Sequence, residues 1–288
     1  MGMFRDMDLL GVISLALALA ASASVAAGPA YDGLVVFGDS LSDSGNAGCF
    51  SNGPVWVERL AERLGLALRP SRTGGRNFAV GGARLDPHSG PDSLRAQADR
   101  FLAEPRPGGR TLYIVYGGGN DLLAAMGAGD AEAGIAIDRA VRALGSIVAD
   151  LVAHGAADIL VPNLPDIGMT PALRAAGSEA LARATALTDG FNAAVDRALA
   201  NFGAAPGLRP YRFDVRALAE RARADPQAFG FVDITTPCAA LPSCEGYLFW
   251  DRIHPTKAAH AHLAEAAFRM LRGEAAHPSG DAPSSGPR

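Results

Sequence analysis

Lysine is almost missing from this chain. Of 288 residues only Lys257 carries an ammonium group, and arginine supplies the rest of the 26 basic side chains. Against them stand 30 acidic residues, for a formal net charge of -4. Binding to a phosphate backbone needs a basic excess or a basic stripe, so nucleic acid is excluded as a main partner. Gly 34 and Pro 19 follow no collagen-like period, and a hydrophobic share of 49% is too high for a disordered chain. No internal repeat and no linker divides the sequence. Beyond the first thirty or so residues there is no long uncharged apolar run, and a bilayer-spanning helix needs ~20 such residues. What remains is a mildly acidic globular protein without a membrane-spanning helix. At roughly 100–200 residues per domain, one large domain or two small ones would fit.

The amino terminus has a different character. Leu9 to Ala20 is almost purely apolar, and Ala21 to Ala27 is small and weakly polar. A run of about a dozen apolar residues has the length of a secretory h-region. Val25-Ala26-Ala27 supplies the small-residue pattern for cleavage after Ala27, although Arg5 is the only basic side chain ahead of it and Asp6 and Asp8 lie close by. Residues 1–27 are therefore read as a secretory signal, 28–272 as the folded domain, and the Gly-, Ala-, Pro- and Ser-rich stretch 273–288 as a disordered tail. Export frames the three cysteines. Cys238 and Cys244 enclose five residues of a loop-like stretch, and a local bridge there would contribute about 2–3 kcal/mol by loop-closure entropy. Cys49 is left over and is expected to be a small buried thiol.

The remaining chain alternates strand and helix. Gly33 to Phe37, Thr111 to Tyr116 and Asp158 to Pro162 are short continuous apolar runs, as expected for strands buried on both faces. Asn77 to Val80 and Arg209 to Phe213 are weaker strand candidates. Helical periodicity appears over Val55 to Leu64, Ala131 to Ala153, Ser178 to Leu199 and Lys257 to Leu271. The alternation predicts one α/β domain with a mostly parallel sheet covered on both faces.

Ligands of parallel sheets collect at the carboxyl ends of the strands, so functional residues are expected in the segments that follow each strand. They are Gly38-Asp39-Ser40-Leu41-Ser42-Asp43-Ser44-Gly45-Asn46, Gly81-Gly82-Ala83, Gly117-Gly118-Gly119-Asn120-Asp121, and Asp251-Arg252-Ile253-His254-Pro255 just before the last helix. Each alone is an ordinary turn. Together they hold the parts of an acyl-transfer site. A serine hydroxyl becomes a nucleophile when a base takes its proton, and an imidazole can take up and return a proton near neutral pH, which makes His254 the natural base for Ser40. Asp251, three residues earlier, can hold the other ring nitrogen and fix the tautomer. Donors for a developing oxyanion are available from the Ser40 N–H, a glycine N–H at Gly81 or Gly82, and the Asn120 amide. Asp39, Asp43, Asn46 and Asp121 are read as turn-holding side chains, and Lys257 as a solvated residue of the last helix. His88, His154, His260, His262 and His277 have the look of surface or helix residues, and no metal is expected.

These four blocks resemble those of the GDSL (SGNH) hydrolases in order and separation. The resemblance is carried by Phe37-Gly-Asp-Ser-Leu-Ser-Asp-Ser-Gly-Asn46, Asn77-Phe-Ala-Val-Gly-Gly-Ala83, Gly118-Gly-Asn-Asp121 and Phe249-Trp-Asp-Arg-Ile-His-Pro255. Ser51-Asn-Gly-Pro-Val-Trp-Val57 and Pro162-Asn-Leu-Pro-Asp166 further resemble the bacterial secreted branch with autotransporter esterases, phospholipases and thermolabile haemolysins. The resemblance implies a flavodoxin-like three-layer α/β/α sandwich. It also implies Ser40 as nucleophile, Asp251 and His254 as its partners, and Gly82 (in preference to Gly81) and Asn120 as oxyanion donors. As in that family, no Gly-x-Ser-x-Gly elbow surrounds Ser40. Only 34 residues follow His254, too few for the β-barrel of autotransporter members, so a protein free in the periplasm or outside the cell is expected.

The implied activity is a secreted carboxylic ester hydrolase, an esterase or lipase, acting without a cofactor, as a monomer with no stable membrane anchor. A phospholipase or lysophospholipase, a lipid acyltransferase, and a deacetylase of polysaccharide esters would share the same triad. A non-catalytic binding protein on a hydrolase scaffold is the reading from another class, against which the intact motif set counts. Met126, Ile167, Met169, Phe229 and Phe231 fall between the predicted elements and are candidates for lining an acyl groove.

Overall fold

The computed structural model describes residues 30–200, 202 and 207–274. The expected signal segment and nearly all of the expected tail lie outside those residues. Four strands form a parallel sheet in the order β1 (Gly33–Gly38), β2 (Thr111–Tyr116), β3 (Asp158–Pro162), β4 (Arg209–Phe213). All six residues of β2 are buried, as a central strand covered on both faces requires. Asn77 to Val80 is not a full strand. It lies along the outer edge of β1, with Phe78 N–H donating to Val36 O (2.7 Å) and Val80 N–H to Gly38 O (3.1 Å). Adding this segment gives the flavodoxin-like order, in which the second extended segment lies outside the first.

Helices cover both faces. On one, α1 (Trp56–Arg63) packs against α8 (Lys257–Leu271). On the other, α4 (Asp130–Ala153) lies against α2 (Leu94–Leu102), α3 (Gly119–Ala125) and α6 (Ser178–Ala200). The short α5 (Pro171–Ala175) precedes α6, and α7 (Val215–Ala224) follows β4 and meets α8. A separate parallel pair, β5 (Asp233–Pro237) and β6 (Tyr247–Phe249), is stapled by the Cys238–Cys244 disulfide. The sequence periodicity did not single out α2, α3 or α7. Two of them carry readable start signals: Ser93 Oγ accepts from Ala96 N–H at 3.2 Å, and Asp214 Oδ1 from Ala217 N–H at 3.0 Å.

Two expectations about burial need correction. Cys49 is exposed, because the loop around it is anchored by the buried Asn46 and the half-buried Phe50 while residues 47–49 ride on the surface. His260 stands on the last helix as expected but is fully buried. Its Nδ1 accepts the N–H of Trp56 (3.2 Å), a donor from the first turn of α1 that no intrahelical partner can satisfy. Burial first, then the neighbouring His254 and the Arg59 guanidinium, push His260 down to about 3.

At the amino end of the sheet, away from the motif loops, one carboxylate joins three strands. Asp158 accepts two hydrogen bonds from Arg110 (2.9 and 2.8 Å), two from Arg209 (2.7 and 2.9 Å) and one from Tyr211 (3.2 Å). Burial pushes this carboxyl up, but the hydrogen bonds from Arg209 and Arg110 outweigh it and hold the group well below the usual carboxylate range. Its stabilisation is therefore complete above the ordinary carboxylate pKa and is lost as pH falls below it. Asp158→Asn is expected to lower the unfolding free energy at neutral pH by about 1–3 kcal/mol, with the deficit shrinking in strong acid. Equal melting of the two proteins at pH 7 would contradict this. His260 works in the other sense, since the unfolded imidazole binds a proton that the folded one refuses between about pH 6.5 and 3. Relative to wild type, His260→Gln is expected to gain about 1.36 kcal/mol per pH unit as pH falls through that window, measured by denaturant unfolding at several pH values.

Candidate active site

The chain turns sharply after β1. Asp39 O accepts from Ser42 N–H and Asp43 N–H (both 3.0 Å), and Asp39 Oδ1 accepts from Leu41 N–H (3.0 Å). The N–H of Ser40, just ahead of these donors, has no acceptor among the described residues and is left free. Asp43 then gathers four main-chain donors: Gly45 (2.8 Å), Asn46 (2.6 Å), Ala47 (2.9 Å) and, from the second motif, Gly81 (2.9 Å). Asn46 Nδ2 donates to Asn77 O and Ala79 O, both at 2.8 Å, and Asn77 Nδ2 returns to Ser42 O (2.7 Å) and Ser44 Oγ (2.8 Å). The side chains Asp43, Asn46 and Asn77 thus sew the first motif to the second.

This stitching separates the two glycines. The Gly81 N–H is committed to Asp43, whereas that of Gly82 has no acceptor among the described residues. Gly82 has φ +79°, a left-handed conformation that favours glycine. Gly81 is required for a different reason, since a Cβ there would stand 2.1 Å from the Phe50 ring, which packs on His254 with centroids 5.3 Å apart. In the third motif, Asn120 opens α3 and its Nδ2 donates to Ala83 O (3.0 Å). An amide nitrogen carries two hydrogens, so one is left for another acceptor. Asp121 accepts from Leu85 N–H (2.9 Å) and Asp86 N–H (3.0 Å), which fixes the segment after Gly82 against α3.

The fourth motif faces the first. Asp251 Oδ1 accepts from Ile253 N–H (2.8 Å) and His254 N–H (2.6 Å), while Oδ2 lies 2.7 Å from His254 Nδ1. His254 Nε2 lies 2.9 Å from Ser40 Oγ. A carboxylate can only accept, so Nδ1 carries the ring proton and Nε2 is free to accept from the serine. Burial raises the Asp251 carboxyl, but the hydrogen bonds from the His254 main chain and ring and from Ile253 prevail and hold it below the ordinary carboxylate range. The block 51–57 supports this arrangement from behind. Ser51 Oγ donates to Pro255 O (3.0 Å), Asn52 Oδ1 accepts from Lys257 N–H (2.7 Å), and Trp56 Nε1 donates to Ser42 Oγ (3.1 Å). Sequence reasoning singled out this block but not its work, which is to tie the Ser40 turn to the His254 segment.

A cavity of about 460 Å³ adjoins Ser40, Asn120 and His254. Asp39 and Tyr116 reach its inner wall. Burial, with a smaller push from Asp121, brings the Asp39 carboxyl up to about 7. Ile167, Met169, Phe229 and Phe231 line the cavity, whereas Met126 lies elsewhere: it caps α3, packs against the main core and offers its carbonyl to Arg183 (2.8 Å). The wall also includes Val215, Leu218, Ala219 and Ala222 of α7, which the motif reading missed. Their i, i+3, i+4, i+7 spacing was the available signal.

Residues 34–267 match the model of the GDSL-like lipase/acylhydrolase family. The chain is 27% identical to a phosphatidylcholine-sterol acyltransferase of Aeromonas hydrophila, over 92% of this chain and 96% of that protein. It is 28% identical to the esterase EstA of Pseudomonas aeruginosa, over 90% of this chain but only 50% of that protein. Among solved structures, the acetylxylan esterase Axe2 of Geobacillus stearothermophilus superposes with a TM-score of 0.54 at 19% identity, covering 88% of this chain and 99% of that one, which is a likeness of fold. The family match over most of the chain, on a parallel sheet with all four motifs at its carboxyl edge, establishes that the protein belongs to the GDSL-like lipase/acylhydrolase family of carboxylic ester hydrolases.

Proposed function

We propose that this protein is an exported serine esterase or lipase that cleaves carboxylic esters through an acyl intermediate on Ser40. The observation that carries the reading is the unbroken relay from Asp251 Oδ2 to His254 Nδ1 (2.7 Å) and from His254 Nε2 to Ser40 Oγ (2.9 Å). Ser40 Oγ attacks the ester carbonyl as its proton passes to His254 Nε2. Asp251, ionised at neutral pH, holds the ring and stabilises the imidazolium. The negative oxygen that develops is met by the Ser40 N–H, the Gly82 N–H and the second hydrogen of Asn120 Nδ2, whose freedom from internal acceptors supports this role. His254 then gives its proton to the departing alcohol, and water repeats the sequence in reverse to release the acid.

Export is supported by the signal-like segment 1–27 and by the Cys238–Cys244 disulfide, a bond that persists in oxidising compartments. Among the described residues no helix is long and apolar enough to cross a membrane. A second reading, transfer of the acyl group to an alcohol in place of water, is favoured by the near full-length match to an acyltransferase. Adding an alcohol acceptor during turnover separates the two. A transferase forms new ester in preference to free acid.

With p-nitrophenyl esters, Ser40→Ala is expected to lower kcat on the order of 10⁶-fold, and Asn120→Ala about 10²–10³-fold with little change in KM. Asp251→Asn, which leaves the shape intact but favours the wrong tautomer, is expected to cost roughly 10²–10⁴-fold in kcat. Turnover in Ser40→Ala close to that of wild type would sink the reading.

A further inference from the structure

The end of the sheet opposite Ser40 carries more positive charge than its own carboxylates balance. A small cavity of about 60 Å³ opens there between the loop before β2, the turn from α4 to β3 and the first residue of β4. Arg106, Arg110 and Arg209 line it, together with Thr111, Gly155 and Asp158. One bidentate guanidinium neutralises a carboxylate, yet Asp158 receives two, from Arg110 and Arg209. Arg106 faces the same space and bonds a main-chain oxygen, with no carboxylate partner among the described residues. Asp32, just outside the lining, accepts the main-chain N–H of Arg110 (2.7 Å), which brings the carboxylates to two against three guanidiniums. Like charges crowded about one concave space repel, and an anion between them relieves that cost.

The donors are placed for such an ion. Nε and Nη2 of both Arg110 and Arg209 are spent on Asp158, which leaves Nη1 of each without an acceptor among the described residues. Arg106 spends Nη2 on Gly155 O (2.7 Å) and keeps Nε and Nη1. Its guanidinium lies so close over Gly155 that a Cβ there would stand 2.2 Å from Nη1, and Gly155 has φ +89°. The glycine therefore sets where the Arg106 fork sits. Thr111 adds a buried hydroxyl that has no hydrogen-bond partner. A buried hydroxyl left unmatched is costly, and an acceptor in the cavity would supply its partner on rotation about the Cα–Cβ bond. The volume suits an ion of a few heavy atoms and excludes a lipid chain or a sugar ring. A planar carboxylate is served by one fork, whereas donors from three arginines match the oxygens of a tetrahedral ion.

We propose that this cavity binds a phosphate group, at a site separate from the ester-cleaving centre. Arg106, Arg110 and Arg209 hold its oxygens through charge-assisted hydrogen bonds, while Arg110 and Arg209 keep their grip on Asp158. The bound ion ties the loop before β2 to the start of β4 and so extends the network that joins the strands. Arg106 and Arg209 are exposed, so the cavity is open to inorganic phosphate and to the terminal phosphate of a larger molecule alike.

The test is calorimetric titration of the purified protein with inorganic phosphate and with glycerol 3-phosphate, in about 0.15 M sodium chloride. Thermal melting at constant ionic strength runs beside it. Saturable, sub-millimolar binding of inorganic phosphate is expected, with a melting temperature that rises as phosphate replaces chloride. Arg106→Gln, a change at an exposed side chain that leaves the Asp158 network in place, is expected to weaken binding roughly tenfold. Arg209→Lys keeps a cation beside Asp158 but removes the fork, and is expected to weaken binding severalfold. Glycerol 3-phosphate binding as tightly as inorganic phosphate would support a site for phosphate monoesters, and much weaker binding a site for the free ion. No saturable binding, a melting temperature that follows ionic strength alone, or binding unchanged in both folded variants would overturn the site. Ester hydrolysis plays no part in these readouts, so the catalytic reading stands or falls separately.

Discussion

Ser40 Oγ and His254 Nε2 are 214 residues apart in sequence and 2.9 Å apart in space. Holding that distance is the constraint around which the carboxyl edge of the sheet is organised. One hydrogen bond between a hydroxyl and an imidazole contributes only about 1 kcal/mol net and cannot position two loops by itself. The work is done by rigid elements on either side. Ser40 leaves a strand whose neighbour is completely buried, and His254 enters a helix whose start is fixed by Thr256 Oγ1 accepting from Ala259 N–H (3.4 Å). Trp56 closes the frame, its indole on Ser42 and its main-chain N–H on His260.

The polar groups of this edge divide into two sets by what they leave unfilled. Asp43, Asn46, Asn77 and Asp121 accept or donate several internal hydrogen bonds each and are nearly or fully buried. Buried polar groups of this kind are costly unless satisfied, and here they are satisfied by the turns they hold. The N–H groups of Ser40 and Gly82 and one hydrogen of Asn120 remain over. Asp43 makes this division sharp, because one carboxylate engages the N–H of Gly81 and leaves that of the adjacent Gly82 without an acceptor among the described residues. Preorganised donors that need no rearrangement at the moment of reaction are what electrostatic catalysis requires.

Much of this was legible in the sequence because it is local. The apolar runs of β1, β2 and β3 are parallel strands, buried along their whole length except at Gly33, and the three-residue interval from Asp251 to His254 is short enough for one turn to present both. The motif carboxylates were readable as turn holders for the same reason. What escaped depends on distant packing. His260 lies on the helix its periodicity predicts, but its burial under α1 follows from the α1–α8 contact, which no local pattern records. Cys49 was expected inside because a free thiol is usually buried, yet its neighbours Asn46 and Phe50 take the inward positions. Phe229 and Phe231 reach the cavity, whereas Met126, equally apolar and equally outside the predicted elements, turns to the main core. Hydrophobicity alone does not distinguish lining a cavity from filling one.

In the proposed mechanism Ser40 carries the acyl group between the two half-reactions. That role is tested most directly by acid-quenching the purified protein within the first turnovers on p-nitrophenyl octanoate and measuring its mass, followed by peptide mapping. A fraction of the protein is expected to be heavier by one octanoyl group, located on the peptide containing Ser40 and absent from Ser40→Ala. Steady hydrolysis with the acyl group on another residue, or with the Ser40→Ala protein acylated and turning over like wild type, would contradict it.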